Sequence, residues 1–419
     1  MKRRLLPILM TLVLVCARPI WAAFVTSGDV TNPLVCTAGA AEPSVPVEVS
    51  TAADLQSNID AGNSVKLTKN IDINTALNVT STLTLDLNGC TLRMTGNTSV
   101  FYVYNNATLT IQDSSAAKSG TITGGNAGDG GGVYIGDNSS EGHLVMTGGT
   151  ITGCVTNPYR GDGRGGGVFV FKGSFTMSGT AKITSCTADW GGGVVVHTGS
   201  STFTMNGGEI SDCKASYTGG GVCLVGGAWF EMTGGTIRNC TAGSVESSAI
   251  YMDPGTMKAH GGTVKGNVCV SGVGNCVITH EPSQEGYTIF DGTITFEGNG
   301  STTAKYPVKF DLAGGSADGL PETVRLGTAL SKPADPTKSG HTFVGWYLGD
   351  APYNFDTPVT APLTLTAKWE KVPSSGGYYY APPAEQPIEA PTTADPGVAL
   401  YAALSLLSLT GLTCITKKR

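Results

Sequence analysis

The sequence predicts an all-β protein in which a parallel β-helix, or solenoid, is followed by a small β-rich module. Glycine contributes 59 of the 419 residues, roughly twice its usual share. Two sequence blocks return with a period of about 27 residues, and apolar residues alternate over short runs between the glycines. With 40% of its residues apolar and 14% charged, the chain can bury much of its surface, which argues against a disordered protein.

The repeats define the solenoid. A Gly-Gly-Gly-Val block begins at Gly130, Gly165, Gly191 and Gly219. A unit of a few short strands cannot enclose a core alone, but units stacked in register can, with turns spaced by ~4.8 Å. Weaker copies on both sides extend the coil, so the period predicts roughly nine turns and a length of order 40 Å. A short helix over residues 52–62 is expected to cover the N-terminal end.

These repeats resemble those of right-handed parallel β-helix surface proteins, and the resemblance covers residues 51–300, including the N-terminal helix. The resemblance implies the fold more strongly than it implies a function. Adhesins and polysaccharide-degrading enzymes both use this architecture, so the function must be argued from a site.

A second module is predicted at residues 306–370, where glycines become fewer and prolines appear. It carries a Gly-Gly pair, then a Gly-His-Thr-Phe-Val-Gly-Trp-Tyr stretch from Gly340, and it closes on a Leu-Thr-Leu-Thr-Ala-Lys-Trp stretch ending at Trp369. In this order the three pieces resemble the Listeria/Bacteroides repeat, which implies an extracellular spacer or binding module. Trp346 and Trp369 are predicted to be core aromatics of this small domain.

Residues 1–23 have the features of a secretory signal peptide. The basic residues Lys2–Arg4 precede an apolar run that is too short to span a bilayer, and small residues follow it. Cleavage is predicted after Ala22 or Ala23. Residues 24–50 are then an N-terminal linker, and the mature chain is expected outside the cytoplasm.

The C-terminal region combines a Pro-rich linker with a hydrophobic span. The linker covers residues 371–395, and residues 396–419 hold the span and a basic tail. The uncharged stretch is about long enough to cross a hydrocarbon core of ~30 Å. This layout resembles the sorting signal of sortase substrates in Gram-positive bacteria, whose usual motif is Leu-Pro-x-Thr-Gly.

The sorting-signal resemblance implies a role for three residues. Pro391 would bend the recognised peptide, Thr393 would become the acyl group on the sortase cysteine, and Ala394 would leave with the tail. Ala390 stands where the motif has Leu, and Ala394 stands where it has Gly. The implied partners are a sortase and cell-wall peptidoglycan, with membrane contact through the span. The alternative is an ordinary C-terminal membrane anchor.

Residues with catalytic chemistry are few. Asp129, Asp162 and Asp189 precede triple-glycine turns by different numbers of residues, so they are predicted to be turn aspartates rather than one aligned ladder. Arg160 and Arg164 lie near Asp162 and make the one acid/base-like constellation in the sequence.

The sequence therefore predicts a protein that is not an enzyme. The histidines lack paired metal-ligand spacing and no Cys-x-x-Cys occurs, so we expect no metal and no cofactor. The formal net charge is −6 and the interior of the chain has no basic cluster, so we expect no nucleic acid partner.

Four cysteines fall at one phase of the repeat. Cys154, Cys186, Cys213 and Cys240 are 32, 27 and 27 residues apart, which predicts an inward ladder of small apolar side chains. A secreted protein normally oxidises its thiols, whereas an unpaired stack suits an anaerobic habitat. The sequence leaves both redox states open.

Together these features favour a non-catalytic cell-surface protein, an adhesin or a rod that binds host or microbial glycans on a Gram-positive cell. The alternative from another class is a surface-anchored polysaccharide lyase or glycoside hydrolase that uses residues near Asp162. A third hypothesis is a purely architectural spacer. The sequence names no ligand and no binding residue.

Overall fold

Short parallel strands stacked turn upon turn form most of the chain. The structure, a computed structural model, describes residues 45–157, 159, 162–244, 247–271, 277–279, 287–292, 294–296 and 301–373. By contacts between residues the chain divides into two units, residues 1–370 and residues 371–419. The stacked strands lie in the first unit.

The secondary structure consists of a helix, α1, at Ala52–Asp60, and many short strands. In chain order the strands are β1 Val47–Val49, β2 Val65–Leu67, β3 Ile71–Ile73, β4 Leu77–Val79, β5 Leu83–Asp86, β6 Thr91–Met94, β7 Phe101–Val103, β8 Ala107–Gln112, β9 Thr121–Thr123, β10 Asn126–Ala127, β11 Val133–Ile135, β12 Gly142–Met146, β13 Thr150–Thr152, β14 Val155–Thr156, β15 Val168–Val170, β16 Gly173–Met177, β17 Lys182–Thr184, β18 Thr187–Trp190, β19 Val194–His197, β20 Thr202–Ser211, β21 Lys214–Thr218, β22 Val222–Arg238, β23 Ile250–Lys265, β24 Val268–Val270, β25 Val277–Thr279, β26 Ile289–Asp291, β27 Ile294–Phe296, β28 Ser301–Thr302, β29 Lys305–Asp311, β30 Thr323–Arg325, β31 His341–Leu348, β32 Ala351–Pro352 and β33 Leu363–Lys371.

Three parallel faces recur from turn to turn in the described part of the solenoid. The first face contains β1, β2, β5, β8, β12 and β16, then segments of β20, β22 and β23, then β25 and β28. The second contains β3, β6, β9, β13 and β17, then segments of β20, β22 and β23, then β26. The third contains β4, β7, β11, β15 and β19, then segments of β22 and β23, then β24 and β27.

The predicted all-β fold with stacked parallel turns is therefore confirmed. Among the described residues the second face counts nine strand segments, which agrees with the roughly nine turns expected from the period. A fourth and shorter sheet, β10-β14-β18-β21, lies in the bend between the second and third faces.

One column of the first face shows how the core is built. Leu109, Leu144, Phe175, Phe203 and Phe230 share one register position and are fully buried. The Phe203 ring centroid lies 4.8 Å from that of Phe175 and 4.8 Å from that of Phe230, with planes 7° and 5° apart. This distance matches the strand spacing of ~4.8 Å, so the sheet register itself stacks the rings.

The triple glycines occupy the bend before the third face. Gly165 and Gly191 begin their blocks with φ of +66° and +61°, in the left-handed region that favours glycine. The second glycine of each block is needed for another reason. A Cβ on Gly166 would lie 2.5 Å from the Gly192 oxygen, and one on Gly192 would lie 2.6 Å from the Gly220 oxygen. Successive turns approach too closely here for a side chain.

The cysteine ladder is buried, as predicted. Cys154, Cys186, Cys213 and Cys240 are at most 6% exposed, and all four are free thiols. The surroundings repeat from turn to turn. The Cys186 sulfur lies 3.4 Å from the carbonyl oxygen of the residue two positions earlier, and the Cys213 sulfur lies 3.3 Å from the carbonyl oxygen at the same relative position. The ladder therefore packs as small apolar side chains.

Burial is expected to protect these thiols from alkylation. Iodoacetamide should label Cys90, which is half-buried, faster than Cys186, although burial and the nearby Asp113 raise the pKa of the Cys90 thiol. Peptide mass spectrometry after timed labelling of the native and the denatured chain measures both rates. Equal native rates at the two cysteines, or a disulfide within the ladder, would contradict the buried free-thiol stack.

Helix α1 covers the N-terminal end of the stack, as expected. Thr51 caps the helix, since its hydroxyl accepts a hydrogen bond from the Asp54 backbone N–H at 3.1 Å. Leu55 and Ile59 are buried against the first turn. Strand β1 pairs in parallel with β2, so the sheet begins before residue 51, inside the segment predicted to be linker.

The second module is a five-stranded sheet with the order β30-β29-β33-β31-β32. Trp346 is 2% exposed and packs edge-on against Phe310 and Phe343. Trp369 is half-buried, and its indole N–H donates to the Leu312 carbonyl at 2.9 Å. Both tryptophans therefore belong to the core, as predicted.

This module packs against the last turns of the solenoid and shares one apolar core with them. The Phe290 backbone N–H donates to the Thr360 carbonyl at 3.1 Å, and the Tyr306 hydroxyl donates to the Thr288 carbonyl. The module thus covers the C-terminal end of the stack, where an open sheet edge would otherwise invite association with other chains.

Candidate functional site

The third face carries aromatic side chains on its outer surface. Tyr102, Tyr134 and Phe169 occupy one register position in β7, β11 and β15. Their ring centroids follow each other at 5.5 Å and 5.2 Å. The same column continues with Val195 and Cys223, both fully buried. Phe169, Val195 and Cys223 form a small apolar cluster separate from the solenoid core, and Tyr134 packs against it.

A second outward column runs two residues further along each strand. The rings of Phe171 and His197 stack with centroids 5.6 Å apart and planes 10° apart. Burial, and then the positive charge of Arg164, lower the pKa of His197 below its ordinary value of 6.5. The lowered pKa favours the neutral imidazole, which presents a flat ring beside Phe171.

The short fourth sheet supplies two exposed rings. Trp190 ends β18 and Tyr217 lies in β21, and they are 36% and 55% exposed. Their ring centroids are 5.2 Å apart. Large neighbouring aromatic rings that face solvent are typical of interaction surfaces.

A pocket of about 440 Å³ lies between the fourth sheet and the third face. Its volume is within the range of small-ligand sites, ≈ 300–1,000 Å³. The lining residues are Asp162, Arg164, Trp190, Val195, His197, Cys223 and Val225. They come from three consecutive turns, because Arg164 pairs with Trp190 and His197 pairs with Val225. We call this pocket, with its flanking aromatic columns, the aromatic groove.

Arg164 at the edge of the aromatic groove is balanced by two carboxylates. Its backbone N–H donates to Asp129 Oδ1 at 2.9 Å, and its Nε lies 3.9 Å from the same oxygen. Its Nη2 forms an ion pair with Asp162. The guanidinium carbon also lies 5.3 Å from the centroid of the Phe169 ring. Among the described residues, the arginine that lines the groove is thus engaged by carboxylates of the protein itself.

The structure brings part of the predicted constellation together. Asp162 and Arg164 meet at the groove, and Asp129 joins them from the preceding turn. Asp189 does not, since it aligns with Gly163, to whose carbonyl its backbone N–H donates at 2.8 Å. The three aspartates therefore form no ladder, as expected. Arg160 lies outside the described residues.

Several predictions concern residues that the structure does not describe. The signal cleavage residues Ala22 and Ala23 lie there, as do Pro391, Thr393 and Ala394 of the sorting motif. Within the described part of the chain no helix is long and apolar enough to cross a membrane. The same part contains no group of three or more His, Cys, Asp or Glu side chains that could hold a metal ion.

The aromatic groove was not predicted from the sequence. The sequence did contain one indication of it, because Val168 to Phe171 is an unbroken apolar run. Successive residues of a strand face opposite sides, so such a run makes the outer side of the strand apolar as well as the inner side. Trp190 lies directly before a glycine block and gave no pattern of its own. Trp190 and His197 line the same pocket because of the bend between their strands.

Comparison with known proteins bears on the second module. Residues 306–368 match the Listeria-Bacteroides repeat domain family, as the sequence resemblance implied. A protein of Evansella cellulosilytica, named as a membrane protein without a stated activity, is 39% identical over 69 residues, or 16% of this chain. A second protein of the same organism, named as a Gly-rich membrane protein, is 37% identical over 70 residues.

These relatives are much longer than the matched segment. The chain spans about a tenth of their length, 10% and 8% respectively. No solved structure matches the chain.

Proposed function

We propose that this chain is a non-catalytic cell-surface protein that binds glycans of host or microbial surfaces. The observation that carries the proposal is the aromatic groove, where exposed rings flank a pocket and the charges of Arg164, Asp129 and Asp162 are paired with each other. Sugars have apolar C–H faces and polar edges, so aromatic rings beside polar groups suit them. The repeat module and the names of the two relatives support a location at the cell surface.

The proposed attachment follows the predicted sorting signal. Thr393 would be joined to peptidoglycan by a sortase, or residues 396–419 would remain in the membrane as an anchor. Either attachment places the solenoid outside the cell, where the aromatic groove can meet a surface polysaccharide.

Gram-positive cells that display the full chain are expected to adhere to glycan-coated wells more strongly than the same cells without it. Adhesion to a panel of neutral and acidic glycans and to mucin measures this. Display without adhesion to any member would favour an architectural spacer. Release of shortened sugars that Asp162→Ala abolishes would favour the alternative, a surface-anchored lyase or glycoside hydrolase.

A further inference from the structure

We infer that the aromatic groove binds an uncharged polysaccharide chain that lies parallel to the solenoid axis, with about one sugar beside each turn. This inference rests on the proposed function. It adds the binding residues, the charge class of the ligand and the direction in which the ligand lies.

The direction follows from the spacing of the lining residues. Arg164, His197 and Val225 reach the pocket from three successive turns, and successive turns are ~4.8 Å apart. A pyranose in a linear polysaccharide has a length similar to this spacing. A chain laid along the axis can therefore contact residues of all three turns, with one sugar beside each turn.

The charge class follows from the ion pairs. An acidic sugar needs a free cation, and the arginine that lines the pocket is engaged by Asp129 and Asp162. The Asp162 side chain is 67% exposed, so an approaching uronate would meet a carboxylate of its own sign. Burial lowers the pKa of His197, which disfavours a positive charge on its imidazole. A neutral sugar avoids these electrostatic costs.

The binding contacts follow from the exposed rings. Trp190 is both exposed and part of the lining, so it can pack against the C–H face of a sugar. The Asp162 carboxylate can accept hydrogen bonds from sugar hydroxyls while it remains paired with Arg164. An extended apolar peptide would form no hydrogen bonds with Asp162 and Arg164. The groove therefore favours an amphipathic ligand such as a sugar over an apolar protein segment.

The test uses cells that display the full chain, with Trp190→Ala as the groove variant. Trp229→Ala is a matched control, since Trp229 is 42% exposed and lines a different, smaller pocket on the first face. We expect Trp190→Ala to weaken adhesion to neutral glucan, mannan or galactan by about tenfold or more. Trp229→Ala should leave adhesion within about twofold of the unaltered chain. Equal surface amounts and equal melting temperatures of the two variants exclude misfolding.

Soluble oligosaccharides of increasing length test the direction. Their half-inhibitory concentration is expected to fall with each added sugar until the oligosaccharide spans the three lining turns, and then to level off. A monosaccharide that inhibits as well as the longer sugars would overturn the axial arrangement.

The outcomes separate this inference from the proposed function. Glycan adhesion that Trp190→Ala leaves unchanged, or that both variants lose equally, overturns the groove but leaves glycan binding in place. Stronger adhesion to polygalacturonate than to any neutral glycan overturns the charge class. Adhesion to proteins alone, or no adhesion at all, overturns both proposals.

Discussion

Gly192→Ala is expected to lower the free energy of unfolding by about 3 kcal/mol or more. Its new Cβ would lie 2.6 Å from the Gly220 oxygen and 2.6 Å from the backbone nitrogen of Lys214. Both neighbours are backbone atoms of the next turn and cannot move without separating two turns of the solenoid. Chemical denaturation followed by circular dichroism of the full chain measures the change.

Gly199→Ala is the matched control for this substitution. A Cβ on Gly199 would lie 3.5 Å from its nearest neighbour, the Gly226 oxygen, which is ordinary van der Waals contact. We expect a change of less than about 1 kcal/mol. Similar effects of the two substitutions would show that close backbone approach is not what requires glycine in the triple-glycine bend.

Phe203→Ala is expected to cost about 3 to 5 kcal/mol of the free energy of unfolding. The Phe203 ring is fully buried and stacks on Phe175 and Phe230, so its removal leaves a cavity between two aromatic rings that the strand register holds apart. The same denaturation measurement gives this value.

Phe203→Leu keeps an apolar side chain of somewhat smaller volume at this position. We expect it to cost about 1 to 2 kcal/mol, clearly less than the alanine substitution. A loss of less than about 1 kcal/mol for Phe203→Ala would mean that this column is not part of the core.

Most of the solenoid could be predicted because its determinants are local and repeated. The alternation in Phe175-Thr176-Met177 sets which side chains face inward, and the glycine blocks mark the bends. Repetition adds that like residues align between turns, as Phe175 and Phe203 do. The inward cysteine ladder followed from the same phase argument.

The cover at the C-terminal end could not be predicted in the same way. The module containing Trp346 was expected as a separate small domain, but its strands contact the last turns and share a core with them. The contact between Phe290 and Thr360 joins segments 70 residues apart that share no repeat pattern. Local periodicity carries no information about such a pair.

The sequence by itself determined the stacking of this protein. Alternation decides which side chains are buried within one strand. The glycine and cysteine blocks return in each of the clear repeats even where the spacing varies, so the same pattern of burial recurs from turn to turn without long-range information. The tertiary structure alone decided the aromatic groove, because Trp190 and His197 line one pocket only through the geometry of the intervening bend. Arg164 likewise meets Asp129 across 35 residues of sequence, and the path of the chain between them sets that ion pair.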